Sequence, residues 1–325
     1  MIRIALAGCG EHSRASHAAP LARFAAAHPN EIKLVAACDL NRERALEFCR
    51  SFGFARAYED LDQMLEVERP DACVSVMPME KIGEVGIKLL ERRIPCVIEK
   101  PLGTSLPEIE RLAHVAHETQ TPHMVSVNRR FMPYLNRARS WMHEHGPLRY
   151  VRASQVRRQR TEPDFIWSTA IHAIDALRYI AGEVEMFDVT VLRGEAAWYV
   201  ISLKFESGTT GQVEILPTAG MVEESYELFG EGCRARVTGG SGTQRSLECW
   251  EDGGPVIVSH AKEEEPEDLR NGAYQEVEEF VRALQTGSRP QPCIDDILPS
   301  ARISFAIAER ATKKHKELKS GSADF

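Results

Sequence analysis

Over the first 127 residues, short runs of β-branched and small apolar residues alternate with longer amphipathic stretches, the pattern of parallel strands joined by helical crossovers. The runs Ile2–Ala7, Ile32–Cys38, Ala72–Met77, Pro95–Glu99 and His123–Val127 predict strands. The stretches Ser16–His28, Arg42–Phe52, Lys81–Arg92 and Pro107–Thr119 predict the helices between them, each long enough for a right-handed crossover. This half reads as a doubly wound α/β domain over residues 1–127.

Beyond a linking helix at Pro133–Glu144 the pattern changes to strand after strand, broken by one helix near Ile166–Ile180. Tyr199, Ile201, Leu203 and Phe205 alternate with polar neighbours as one face of a strand. Further strands are expected at Val151–Arg160, Gly211–Leu216, Tyr226–Phe229, Arg234–Thr238 and Val256–Ser259, which together make a large, mostly antiparallel open sheet. Helices at Tyr274–Leu284 and Ile297–Lys314 close the chain, followed by a frayed tail from Lys316 to Phe325. Residues 128–325 thus read as a second, α+β domain.

Composition narrows the function classes. Forty Lys and Arg against 48 Asp and Glu give a net charge of −8, the wrong sign for general attraction to nucleic acid or anionic lipid. No apolar run reaches membrane-spanning length, and the opening Met1–Gly8 lacks the basic and long apolar regions of a signal peptide, so a cytoplasmic location is expected. The eight cysteines fall singly, without CxxC spacing, and read as buried reduced thiols. His143 and His145 bracket Glu144 at the end of a helix, a solvated terminus rather than a ligand set, and no metal is assigned.

Gly8-Cys9-Gly10-Glu11-His12-Ser13 follows the first strand and opens a helix, the context that makes a glycine-rich turn a dinucleotide site. Gly8 permits the turn, Gly10 lets a pyrophosphate approach the backbone, and the helix N-terminus offers amide donors. Ser13 stands where a third glycine would pack helix against strand. Asp39 ends the second strand, where a carboxylate accepts from both ribose hydroxyls and favours NAD, with NADP as the alternative through Arg42 or Arg44.

At Glu99-Lys100-Pro101-Leu102-Gly103 the sequence resembles the glucose-fructose oxidoreductase, inositol dehydrogenase and rhizopine-catabolism protein (Gfo/Idh/MocA) family of NAD(P)-dependent oxidoreductases. Gly8-Cys9-Gly10, Asn128-Arg129-Arg130-Phe131, His172-Ala173-Ile174-Asp175 and Tyr274–Phe280 extend the resemblance in order along nearly the whole chain. It implies a Rossmann domain, a second domain that binds substrate and mediates oligomer contacts in a homodimer or homotetramer, and hydride transfer at a hydroxyl-bearing carbon of a sugar or cyclitol. The cofactor set it implies is Gly8, Cys9, Gly10, His12, Ser13, Asp39, Met77, Pro78, Glu99 and Asn128.

Removing hydride from a secondary alcohol yields a carbonyl only if the hydroxyl proton leaves too, so a base must reach that oxygen. Lys100 is the candidate, at the carboxyl end of its strand, where ligands bind in doubly wound sheets. Pro101 restricts how Lys100 enters the cleft. Ser168, His172, Asp175 and Tyr179 are expected on one helical face, with His172 assisting as an acid or base. The family commonly carries Asp where this chain has Ser168, so its full triad does not transfer; Asp175 either orients His172 or serves local structure. Arg130, Trp167, Ser168, Thr169 and Asp175 complete the expected substrate set. Arg149, Arg152, Arg157, Arg158 and Arg160 offer anion recognition but read more readily as a solvated sheet face. The expected function is therefore an NAD(P)-dependent dehydrogenase of a sugar, sugar derivative or cyclitol. A non-catalytic nucleotide-binding regulator and an NAD-dependent glycosidase are its rivals, the glycosidase separable by product analysis.

Overall fold

The computed structural model describes residues 1–192, 194, 196–239, 245–262 and 264–320, with the backbone alone over 312–320. In chain order it runs β1 (Ile2–Ala7), α1 (Glu11–Ser13), a π turn (Arg14–Ala18), α2 (Ala19–Ala27), β2 (Ile32–Cys38), α3 (Arg42–Phe52), β3 (Arg56–Tyr58), α4 (Leu61–Glu68), β4 (Ala72–Ser75), α5 (Met79–Glu91), β5 (Cys96–Glu99), α6 (Leu106–Thr119) and β6 (His123–Ser126). A 3-10 turn (Asn128–Phe131), α7 (Pro133–Glu144), β7 (Tyr150–Val156), α8 (Phe165–Ser168) and α9 (Ile171–Ala181) follow. Next come β8 (Val184–Leu192), β9 (Trp198–Phe205), β10 (Thr210–Leu216), β11 (Glu223–Phe229), β12 (Cys233–Gly239), β13 (Ser246–Glu251) and β14 (Gly254–His260). The chain closes on α10 (Glu267–Arg270), α11 (Ala273–Thr286) and α12 (Ile294–Ser320). The last helix runs through Lys316, where the tail was expected to fray; residues 321–325 of that tail lie outside the described residues.

Two compact units result, one of Met1–Phe131 with Pro266–Pro299, the other of Met132–Glu265 with Ser300–Phe325. Continuous domains over 1–127 and 128–325 were expected; the first unit instead takes a return segment from late in the chain. The reason is packing. Val277, Phe280 and Val281 of α11 are buried in the same cluster as Ile4 and Leu6 of β1, Phe24 of α2 and Phe48 of α3.

The first unit holds a six-stranded sheet in the order β3-β2-β1-β4-β5-β6, parallel at every pairing. That is the Rossmann order, and it reverses direction between β1 and β4, which opens a crevice at their carboxyl ends. Strands β1, β2, β4 and β5 are almost wholly buried, as a sheet covered by helices on both faces requires.

In the second unit eight strands run in the order β14-β13-β12-β11-β7-β10-β9-β8, with β7 and β10 parallel and the other described pairs antiparallel. Strands β7 and β12 alternate strictly between buried and half-buried residues, so one face carries the core. Leu135, Ala138 and Met142 of α7 and Ile174 and Leu177 of α9 pack on that face with Val151, Ala153, Val213 and Val237. The α/β architecture expected from the sequence is the one observed. Among the described residues, no helix is long and apolar enough to cross a membrane.

Candidate functional site

The turn after β1 is fixed by its own backbone. Gly8 has φ +96°, and a Cβ there would lie 2.0 Å from the Val76 carbonyl oxygen, so a side chain is excluded by both conformation and space. Gly8 N–H donates to Cys38 O at 2.8 Å, tying the turn to the end of β2. Around Gly10 the situation is opposite, since a Cβ would meet nothing within 4 Å. Gly10 is also the N-cap of α1 without any side-chain cap, so the first amides of the helix keep their donors. Ser13 is fully buried, a small side chain tolerated in the place of a third glycine. The Asp39 carboxylate is half-buried and held in place by Cys9 N–H at 2.9 Å and Asn41 N–H at 2.8 Å. Met77 is half-buried and Pro78 exposed where β4 leads into α5.

A second constellation forms where β5 ends. Glu99 is buried, and its two oxygens are shared between histidines of the first helix: His17 Nε2 lies 2.8 Å from Oε2 and His12 Nε2 lies 3.2 Å from Oε1. Lys100 Nζ stands 3.9 Å from the same Oε1. Burial alone would raise the Glu99 pKa, but the hydrogen bond and charge of His12, the His17 bond and the Lys100 charge hold it well below the usual carboxylate range. The Lys100–Pro101 peptide is cis. Both histidines reach one carboxylate because the helix widens between them. In a regular α-helix residues five apart point about 140° away from each other. Here Ala19 N–H donates to Arg14 O across an i→i+5 turn, which takes in an extra residue and turns His17 back toward the face of His12.

Nearby in the same unit Glu276 of α11 is buried, with Ser126 Oγ donating to its Oε2 at 2.9 Å. Burial, then the negative charge of Glu99, pushes its pKa from the usual 4.5 up to about 8. Asn128 Nδ2 donates to Asn271 O at 3.0 Å, and Arg130 Nη2 donates to Asp296 O at 3.4 Å.

On the second unit, the expected single helix is two, with Ser168 ending α8 and His172 in the first turn of α9. Ser168 and His172 are buried and Thr169 is half-buried. A polar face beside an apolar one was expected from the spacing. Instead Ile171–Arg178 are all buried, because the helix packs on several sides within its unit. Asp175 is buried as well: its Oδ1 accepts from Ser300 Oγ at 2.7 Å and lies 3.7 Å from Arg178 Nη1. Trp167 stacks on Phe305 with ring centroids 5.0 Å apart, so that face of the indole is already covered by its own unit. The arginines of the sheet region face acids, Arg152 on Glu227, Arg157 on Glu224, Arg160 on Glu162 and Arg149 on Glu231. All eight cysteines are free thiols and all but Cys49 are buried.

Residues 2–128 match the family model of oxidoreductases with an NAD-binding Rossmann fold, Gfo/Idh/MocA. That segment is similar to the nucleotide-binding domain of this family. Among its relatives, the myo-inositol 2-dehydrogenase of Thermotoga maritima is 24% identical over 227 residues, 60% of this chain and 66% of the relative. The scyllo-inositol 2-dehydrogenase (NAD(+)) of Bacillus subtilis is 27% identical over 231 residues, 65% of each chain. The match therefore spans less than two thirds of the length of either relative. The whole fold superposes on a dehydrogenase from Chromobacterium violaceum with a TM-score of 0.88 at 20% identity, covering 100% of this chain and 99% of that one.

The first turn fits the family's NAD. Open space over Gly10, uncapped helix amides and a fixed carboxylate at Asp39 are the features an anionic pyrophosphate and a ribose diol need. His17 and Glu276 did not stand out in the sequence. His17 lies inside the expected Ser16–His28 helix, and only the i→i+5 turn aims it at Glu99. Of the described residues, the one group of His, Cys, Asp or Glu that brings three ligand atoms within 4.8 Å is His12, His17 and Glu99, not the His143–His145 pair.

Proposed function

We propose that the protein is an NAD-dependent oxidoreductase that oxidises a secondary alcohol of a cyclitol, sugar or sugar derivative, or reduces the corresponding ketone. The observation that carries this reading is the β5 terminus, where the Lys100 side chain, only 12% exposed, lies beside a buried ionised Glu99 at the carboxyl end of a Rossmann sheet. When bound, NAD supplies the hydride acceptor. The residues of the chain supply everything else. The backbone from Gly10 through Ser13 would hold the pyrophosphate, and Asp39 would accept from the ribose hydroxyls. Arg42 pairs with Glu59 at 3.3 Å, which supports NAD over NADP, because that guanidinium is already engaged. Lys100 takes the hydroxyl proton as the carbon loses its hydride. His172 is the second acid–base group proposed, and Ser168 takes the position of a family carboxylate that this chain lacks. The named inositol dehydrogenases make cyclitols the first substrates to test.

The experiment is a screen for NADH formation over cyclitols, aldoses and uronic acids, with Lys100→Met alongside. Substrate-dependent NADH, reduced about 10²- to 10⁴-fold in the variant with its NAD affinity kept, is the expected result. A protein silent on every polyol, or Lys100→Met turning over within about threefold of wild type, would overturn the reading.

A further inference from the structure

A buried base must also lose the proton it gains. Lys100, at 12% exposure, has little direct access to water, yet each alcohol oxidised leaves one proton on its amine. The neighbouring groups form a graded path outward. Lys100 Nζ lies 3.9 Å from Glu99 Oε1, within ion-pair reach, and the same oxygen lies 3.2 Å from His12 Nε2. Glu99 is 7% exposed, whereas His12 is 56% exposed. The other oxygen, Oε2, is held at 2.8 Å by His17, which is 4% exposed and leads nowhere. One histidine anchors the carboxylate and the other opens it to solvent.

We propose that Lys100, Glu99 and His12 form a proton outlet, in which His12 is the surface terminus and His17 the residue that positions Glu99. The inference rests on Lys100 acting as the base. In the oxidation direction the substrate O–H bond breaks as an N–H bond forms on Lys100, and the C–H electron pair leaves with the hydride to the nicotinamide. An ammonium N–H then breaks toward Glu99 Oε1, that oxygen passes a proton to Nε2 of His12 in the tautomer that carries its hydrogen on Nδ1, and the imidazolium releases one to water, the exposed ring regaining that tautomer by exchange with solvent. One proton leaves per turnover and Lys100 is restored as the neutral amine. The wide turn of the first helix is the structural reason that the path exists, since without it His12 and His17 cannot address one carboxylate. Besides these groups, the buried acid that feels the charge of Glu99 is Glu276, held on Ser126 and kept largely protonated at neutral pH, so it does not compete for the relayed proton.

The test reads the path without a substrate. In protein labelled with ¹⁵N-lysine, at a pH low enough for the Lys100 amine to carry its third hydrogen, that ammonium is assigned by its loss in Lys100→Met, and its hydrogen exchange with water is followed by NMR. His12→Ala, at an exposed position, is expected to slow that exchange about tenfold or more, and added imidazole to restore it. Glu99→Gln is expected to slow it too, with no rescue by imidazole, because the break lies inside the path. Exchange in His12→Ala equal to wild type overturns the outlet, whatever the activity of the enzyme. Slowed and rescued exchange in a protein that oxidises no polyol upholds the outlet and overturns the dehydrogenase reading instead. Calorimetry with Zn²⁺ closes the remaining route, because two imidazoles and a carboxylate also suit that ion. Stoichiometric binding abolished by His17→Ala would make the cluster a metal centre and overturn the outlet.

Discussion

Glu276 is an acid that the fold keeps protonated, and this carries a sign for stability. Its pKa rises from 4.5 to about 8 on folding, so between those values the native state binds a proton that the unfolded chain does not. The contribution is fully present below pH 4.5 and is lost as pH climbs through 8, at about 1.4 kcal/mol per unit. Glu276→Gln mimics the protonated carboxyl and should flatten this slope. Denaturant titrations from pH 5 to 8 are expected to show wild type losing a few kcal/mol relative to the variant; parallel curves would refute the burial argument. At this scale the legible placements were those that the end of an element marks. Gly8, Asp39 and Lys100 each directly follow a strand, as their position in the sequence pattern gives them. The partnerships of Glu276 with Ser126 and of His17 with Glu99 span 150 and 82 residues, a distance that no local pattern reports. The polar face expected beside an apolar one on α9 shows the converse error, because equal spacing cannot tell a cleft from a packed interior.

Among the elements, the i→i+5 turn at Arg14–Ala18 has the most specific consequence. His17→Ala removes the side chain that this turn brings to Glu99. A buried carboxylate that loses its partner costs about 3–5 kcal/mol, so thermal stability should fall well below that of an Ala15→Gly control. A His17→Ala variant no less stable than the control would mean that the wide turn places nothing of value. Elements with a full buried face were legible. β2, α3 and α7 match their expected bounds, because alternation or helical periodicity runs their whole length. β8 was missed because only Val189 in it is fully buried, as suits the outer strand of its sheet, and β3 was missed because three residues are too few to show a period.

For the whole molecule, the cofactor preference is an equilibrium that melting can report. At NAD concentrations about 100 times Kd, binding adds about 2.7 kcal/mol to stability, and NADP at the same concentration should add less, because Asp39 repels a 2′-phosphate. Asp39→Ala should narrow the gap between the two melting shifts; a larger shift with NADP in wild type would refute the assignment of the ribose to Asp39. The discontinuity of the first unit reaches further, into the order in which the protein is made. Its core closes only when Val277, Phe280 and Val281 arrive, about 150 residues after its last parallel strand has been synthesised. At roughly 5–20 residues per second, that leaves the apolar flank of β1, α2 and α3 uncovered for about 8–30 s while the second unit emerges. The unit that is synthesised first waits for residues far along the chain, and residues 1–131 alone are expected to lack the part of their core that Val277, Phe280 and Val281 supply.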